Sequence, residues 1–336
     1  MDLLIAGPPG PMMRWVSALA GAAVAMVQPV LENAGADDVW IPRVTPEAEP
    51  TARIFTTQCV SESFAAAVRA GVLRAVLVVD QPASSYHDVR AAGHGPVPAL
   101  RHLVSCATAQ GELVACPGAL TLTRDGRRDA AQTLGALLDH LGVPLDAGAL
   151  ADLSARFGIA GGGTGLDAAL LGSEPPEAVH PVLTAEDEAL VRAVLVPAFG
   201  YGGIGVRLKV VWPRGCLFWG DRPNDEPAPR IIEMTGRARN LVYGPYFRLP
   251  PGRWRMGTTL AFSPSARRAR LALCLFGPDH LGGGQFTVER AGVFAASAMV
   301  VVPPAREGLE IRLSLEHGAI EGELGLDGIS FTPEPG

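Results

Sequence analysis

LLIAGPPGPMMRW, residues Leu3 to Trp15, runs from an apolar strand through a Gly/Pro turn into a helix, and its reading decides the fold of the first half of the chain. In an α/β protein this layout belongs to a phosphate-binding loop, because N–H groups of the turn and first helical turn converge on an anion. The chemistry is largely missing here. Pro8, Pro9 and Pro11 carry no N–H, Met12 and Met13 stand where small residues would let a phosphate approach, and no lysine lies nearby.

Working outward, Leu73 to Asp80 (LRAVLVVD) is a continuous apolar run of the kind a parallel strand buried on both faces requires. Strands are predicted at Leu3–Ala6, Val39–Pro42, Arg53–Thr56 and Ala119–Thr123. Helices are predicted at Trp15–Val27, Ser61–Ala70, His87–Ala92, Val97–Ala109, Arg128–Leu141 and Ala147–Phe157. Gly142 is a stop for the fifth of these, and Asp146 a cap for the sixth. The alternating order implies a parallel sheet with helices on its faces. The Gly161–Pro176 stretch (GGGTGLDAALLGSEPP) reads as a linker or surface loop, followed by a helix at Ala185–Val196 that ends before YGGIGV.

From Val206 the texture changes to short alternating runs divided by Gly, Pro and Asn, among them NLVYGPYFRL, RWRMGTTLAF, LEIRLSLE and IEGELGLDGISFTP. This is the pattern of an antiparallel sandwich or jelly roll. The expected organisation is an α/β domain over 1–160, a linker with a helix over 161–203 and a β domain over 204–336.

The 336 residues suffice for two cores, and a net charge of -6 argues against bulk electrostatic binding of nucleic acid. Lys209 is the only lysine, which reads as codon bias of a GC-rich, bacterial genome. The five cysteines show no metal-ligand spacing and read as free thiols of a reducing cytoplasm, with a Cys106–Cys116 hairpin bridge left open. No metal and no cofactor is expected. The apolar run Met12–Leu31 approaches membrane-spanning length, yet Asp2 and Pro29 favour a buried helix over a secretion signal.

Three pieces of the first 160 residues resemble the nucleotide-dependent sulfotransferase fold. Gly7, Pro9 and Trp15 match a loop of the form G-x-P-[RK]-S-G-T-T-W. VLVVDQPASSYHDV supplies a strand and Pro82 of an R-D-P motif, and Ala119–Leu153 matches a strand, a Y-E-D-L loop and a closing helix pair. Carried over by position, the loop's cation becomes Gly10, and the Ser, Gly, Thr and Thr after it become Pro11, Met12, Met13 and Arg14. The Arg that would clamp the donor's 3′-phosphate becomes Asp80 and its Ser partner Asp88; Thr123 and Arg124 replace Tyr and Glu, and Asp125 is kept. The resemblance thus implies a donor site without its charge, with two carboxylates facing the phosphate position. Arg14 is expected to pair with a surface carboxylate, and Ser84, Ser85, His87 and Asp88 to form a capped loop, not a hydrolytic site.

Thr235–Met256 places Tyr243, Tyr246, Arg248 and Trp254 on adjacent strands, with Arg237, Arg239, Arg253 and Arg255 nearby. At period two, Tyr243 and Tyr246 share a face only if Gly244–Pro245 forms a bulge. G-P-Y, L-P-P-G-x-[WY] and I-E-G-x-L…I-x-F-x-P resemble jelly-roll accessory domains of carbohydrate-active proteins, which implies sugar stacking at these rings, with Glu321 and Glu323 as acceptors. For each ring alone, a place in the sandwich core is the favoured explanation.

The expectation is a non-catalytic, cytoplasmic protein that binds a glycan or polysaccharide-synthesis proteins, with no nucleic acid and no membrane span. An active glycan sulfotransferase or related transferase with a divergent donor site is the rival. A structural homo-oligomer is the third reading.

Overall fold

In the computed structural model, which describes residues 2–28, 30–34, 52–159, 165–173, 183–222, 226–304 and 307–335, the apolar run after Asp2 becomes the middle of a sheet. Strands β1 (Asp2–Ala6), β2 (Val30–Ala34), β3 (Ala52–Thr57), β4 (Arg74–Val79) and β5 (Ala119–Thr123) lie in the order β2-β3-β1-β4-β5, all parallel. Strand alternation sends Leu3, Ile5, Val76 and Val78 to one core and Leu4, Ala6, Ala75 and Leu77 to the other, so the sheet is buried on both faces.

The first core is covered by α1 (Pro11–Ala25), α5 (Ala130–Leu141), α6 (Ala147–Arg156) and α7 (Leu166–Ser173); the second takes α2 (Glu62–Arg69) and the end of α4 (Pro96–Gly111). Helix α3 (Pro82–Ala91) follows β4 directly. The apolar run after Met12 is therefore a helix packed on the sheet, and no helix among the described residues is long and apolar enough to cross a membrane.

Several boundaries correct the sequence reading. Helix α1 starts at Pro11 and α3 at Pro82, each with proline in the first turn, where its missing N–H costs nothing. The helix predicted at His87–Ala92 therefore begins five residues earlier, and Ser84 and Ser85 are helical with His87 and Asp88, not part of a capped loop. Helix α7 lies inside the stretch expected to be a loop. After α8 (Ala185–Leu190) and a π-helical turn at Val191–Leu195, α9 (Val196–Ile204) continues through the YGGI expected to end it. Strand β2 has no counterpart in the sequence reading. The strand expected at Val39–Pro42, and Gly161–Gly163, lie outside the described residues. All five cysteines are free, Cys106 being buried in α4.

The remaining strands are antiparallel. They are β6 (Val210–Pro213), β7 (Phe218–Trp219), β8 (Ile231–Glu233), β9 (Arg239–Phe247), β10 (Gly252–Phe262), β11 (Arg270–Phe276), β12 (His280–Thr287), β13 (Gly292–Val302), β14 (Leu309–Leu315) and β15 (Glu323–Pro333). One sheet runs β13-β10-β15-β6, with β8 also on β15; the other runs β12-β11-β14-β9-β7. Trp212 joins their inner faces, its ring 5.8 Å from Phe247 of one sheet and 4.4 Å from Phe331 of the other. Met1–His94, Cys106–Leu183 and Gly202–Gly205 form one compact unit; Gly95–Ser105, Thr184–Tyr201 and Val206–Gly336 form the second.

Candidate functional site

The order β2-β3-β1-β4-β5 reverses direction between β1 and β4, so the crevice beyond their carboxyl ends is where an open α/β sheet places its ligand. Three chain segments meet there: the turn after β1, Asp80 after β4, and Arg124 after β5. Gly7 is required by crowding, since a Cβ there would stand 2.3 Å from the Val78 carbonyl oxygen. Gly10 is extended, a conformation open to any residue, yet a Cβ there would lie 2.4 Å from Asp80 Oδ2.

The Asp80 side chain is fully buried and occupies the amino end of α1. Its Oδ2 accepts from the Met12 N–H at 2.8 Å; its Oδ1 accepts from the Gln81 N–H at 2.7 Å and from Arg124 Nη1 at 3.1 Å. Arg124 also donates through Nε to Asp167 at 2.7 Å. Burial pulls its guanidinium down, but the hydrogen bonds and charges of Asp167 and Asp80 outweigh this and hold it above its ordinary value. A negative group at a helix amino end is favourable, and here the chain's own carboxylate supplies it.

Asp88 does not face this point: it pairs with Arg14 on α1, so Arg14 has the carboxylate partner expected of it. Met12 and Met13 are buried and close the turn from the core side. Pro9 stands in the turn, half-buried. Sequence reasoning missed the pairing of Arg124 with Asp80, although the two opposite charges stand at the ends of neighbouring predicted strands, Leu73–Asp80 and Ala119–Thr123. A cavity of about 350 Å³ lies beside this cluster, lined by Gln81, Arg124, Arg128, Asp129 and Asp167 among others.

In the sandwich unit the four aromatic and basic residues singled out from sequence separate. Trp254 points inward from β10, is completely buried and donates Nε1–H to the Pro250 carbonyl at 2.9 Å, which removes its ring from any surface. Arg248 is also buried, donating Nη1–H to the Ser105 carbonyl at 3.3 Å. Tyr243 and Tyr246 remain half-buried.

The register shift after Leu309, with Phe247 and Pro245 paired and Tyr246 skipped, is the bulge that lets both tyrosines reach Phe218, at 5.4 and 6.3 Å between ring centroids. Tyr246 has a φ of 65°, and a Cβ at Gly308 would stand 2.4 Å from its carbonyl oxygen, so glycine is needed there. Tyr246 donates to Glu310 Oε1 at 3.3 Å, and Arg312 donates to Glu310 Oε2 at 2.6 Å, which with the negative charge of Glu310 holds Arg312 above its usual value. Arg312 also stands 4.3 Å from the Phe276 ring centroid. Glu310, Arg312 and Phe218 were not legible as neighbours of the tyrosines, because a strand register cannot be read from one strand.

Fold and site together define a two-part protein: a parallel α/β unit whose switch-point crevice holds a buried Asp–Arg pair, and an antiparallel β-sandwich. No protein-family model and no curated protein matches the chain. Among solved structures it is similar to the mouse sulfotransferase SULT7A1 complexed with PAP, at 10% identity over 59% of this chain and 82% of that one, with a TM-score of 0.40. It is also similar to the CBM36-1 domain of a multidomain xylanase from the hindgut metagenome of Trinervitermes trinervoides, at 11% identity over 38% of this chain and 99% of that one, TM-score 0.26. A third is the C-terminal CBM6 of LamC, a laminarinase from Zobellia galactanivorans, at 12% identity over 37% of this chain and 98% of that one, TM-score 0.25.

Proposed function

We propose that the protein is a non-catalytic glycan-binding or scaffolding protein of bacterial polysaccharide or cell-surface metabolism, whose α/β unit no longer binds a nucleotide donor. The observation that carries this reading is Asp80 itself, which takes the helix amino end, the Gln81 N–H and the Arg124 guanidinium for its own carboxylate. A donor phosphate brought to the same point meets a fixed like charge; two unit charges about 4 Å apart repel by about 4 kcal/mol at an effective dielectric of about 20. The glycan arm draws support from Tyr243 and Tyr246, held on one side by the bulge beside the Glu310–Arg312 pair, a combination of ring face and hydrogen-bonding groups that suits a sugar.

One observation favours a second reading: the cavity beside Arg124 and Arg128 is large enough to admit a small anion, as a transferase with a divergent donor site would need. Calorimetry separates the two. The expected result is no measurable binding of a phosphorylated adenine nucleotide, together with glycan-array binding that weakens about tenfold in Tyr243→Ala. Tight nucleotide binding that Arg128→Ala abolishes would sink the non-catalytic reading, and a silent array would sink the glycan arm.

A further inference from the structure

The two edge strands β12 and β13 approach closely at one end of the sandwich and part at the other. At Gly282 they touch, since a Cβ there would stand 2.8 Å from the Met299 carbonyl oxygen, whereas a Cβ at Gly284 would meet nothing within 4 Å. Gly284 pairs with Leu273 and Phe286 with Leu271, so Gly284 and Phe286 are inward positions of their strand, and Ala296 and Ala298 are the inward positions facing them from β13. Small residues at three inward sites leave a slot of about 540 Å³ between the sheets, within the range of small-molecule sites.

Its buried side chains are apolar. Leu260, Leu273 and Val288 form the floor, and Phe262 stands between Phe286 and Phe294, at 6.4 and 6.1 Å between centroids. At its border Gln285, Glu289 and Arg290 are exposed, and the Arg290 guanidinium lies 5.9 Å from the Phe294 centroid. A sugar ring pushed down onto Leu260, Leu273 and the three phenylalanine rings would leave the hydroxyls turned towards them without partners. An acyl chain or aryl ring would lose none, and its polar head would remain at the rim.

We propose that this slot binds a small amphiphile, its acyl or aryl group against Phe262, Phe286 and Phe294 and its head beside Gln285 and Arg290. The site is independent of the tyrosine surface and of the α/β crevice. Glu289 and Arg290 balance in charge, so the apolar group dominates affinity.

Titration of the full chain with 1-anilinonaphthalene-8-sulfonate, followed by displacement with octanoate, decanoate and dodecanoate, tests it. Saturable binding is expected, with displacement tightening about fourfold per added methylene until the slot is filled. Gly284→Leu, which adds a side chain into open space, should lower affinity at least tenfold while leaving the melting temperature unchanged or raised; Ala296→Leu should repeat this from the facing sheet. Absence of saturable binding, no dependence on chain length, or full binding by both folded variants overturns the proposal.

Discussion

Asp80 divides two carboxylate oxygens among three donors, and Gly10 exists to let it do so. The Gly10 backbone is extended, so the requirement is spatial: the 2.4 Å approach of a Cβ to Oδ2 is a collision with a side chain that is itself held from three sides. Removing one partner of a buried ion pair leaves the other uncompensated. Because Arg124 keeps Asp167, Asp80→Ala should cost about 2–3 kcal/mol in urea denaturation, less than for a pair with no second partner. Gly10→Ala should be destabilising in the native background and markedly less so with Asp80→Ala, a coupling of about 1 kcal/mol or more; strict additivity would show that the two do not meet.

A second residue sets an alkaline limit. Burial, assisted by the charge of Glu186, pushes the Cys216 thiol up from 9.0 to about 12. The unfolded chain ionises first, so the stability Cys216 contributes is whole below pH 9 and is lost as pH rises toward 12. The native thiol should not react with a disulfide reagent at pH 8, and Cys216→Ala should flatten the fall in stability across that window.

At the scale of elements, those with local signals were the legible ones. Helix α5 carries its own start and stop: Asp129 accepts from the Gln132 N–H at 2.7 Å, the Gln132 side chain returns to the Asp129 N–H at 3.1 Å, and Gly142 ends the helix at a φ of 65°. Asp129→Ala should cost about 1 kcal/mol, measured by thermal or urea unfolding, and Asp129→Asn much less.

Where the sequence misled, the deciding contact was distant. The glycines of YGGI look like a helix stop, but a Cβ at Gly202 would come within 3.0 Å of the Ala107 carbonyl oxygen, so the glycine serves close packing inside a helix. Pro11, which the sequence places in the turn, and Pro82, which it places before the helix, stand in the first turns of α1 and α3. Trp254 was counted with the exposed rings because period-two alternation gives two faces without saying which is inner. Its complete burial resolves that choice, and with it the outward position of Arg253 and Arg255.

Over the whole molecule, both halves of the architecture could be read, since a parallel sheet demands unbroken apolar strands and a sandwich demands alternating ones. The chemistry could be read only in part. Asp80 and Arg14 were singled out from sequence, yet whether Asp80 repels an incoming anion from outside or already occupies its place depends on the side chain's direction. The slot between β12 and β13 could not be foreseen, because small inward residues become a cavity only when two distant edges face each other.

The central position of β1 has a consequence in time. Its partners β3 and β4 lie about 50 and 70 residues further along the chain. At the usual pace of synthesis, about 5–20 residues per second, β1 waits roughly 4 to 14 s for its second neighbour. Until β3 arrives Leu3, Leu4 and Ile5 belong to no sheet, and from then until β4 arrives one edge of β1 stays unpaired.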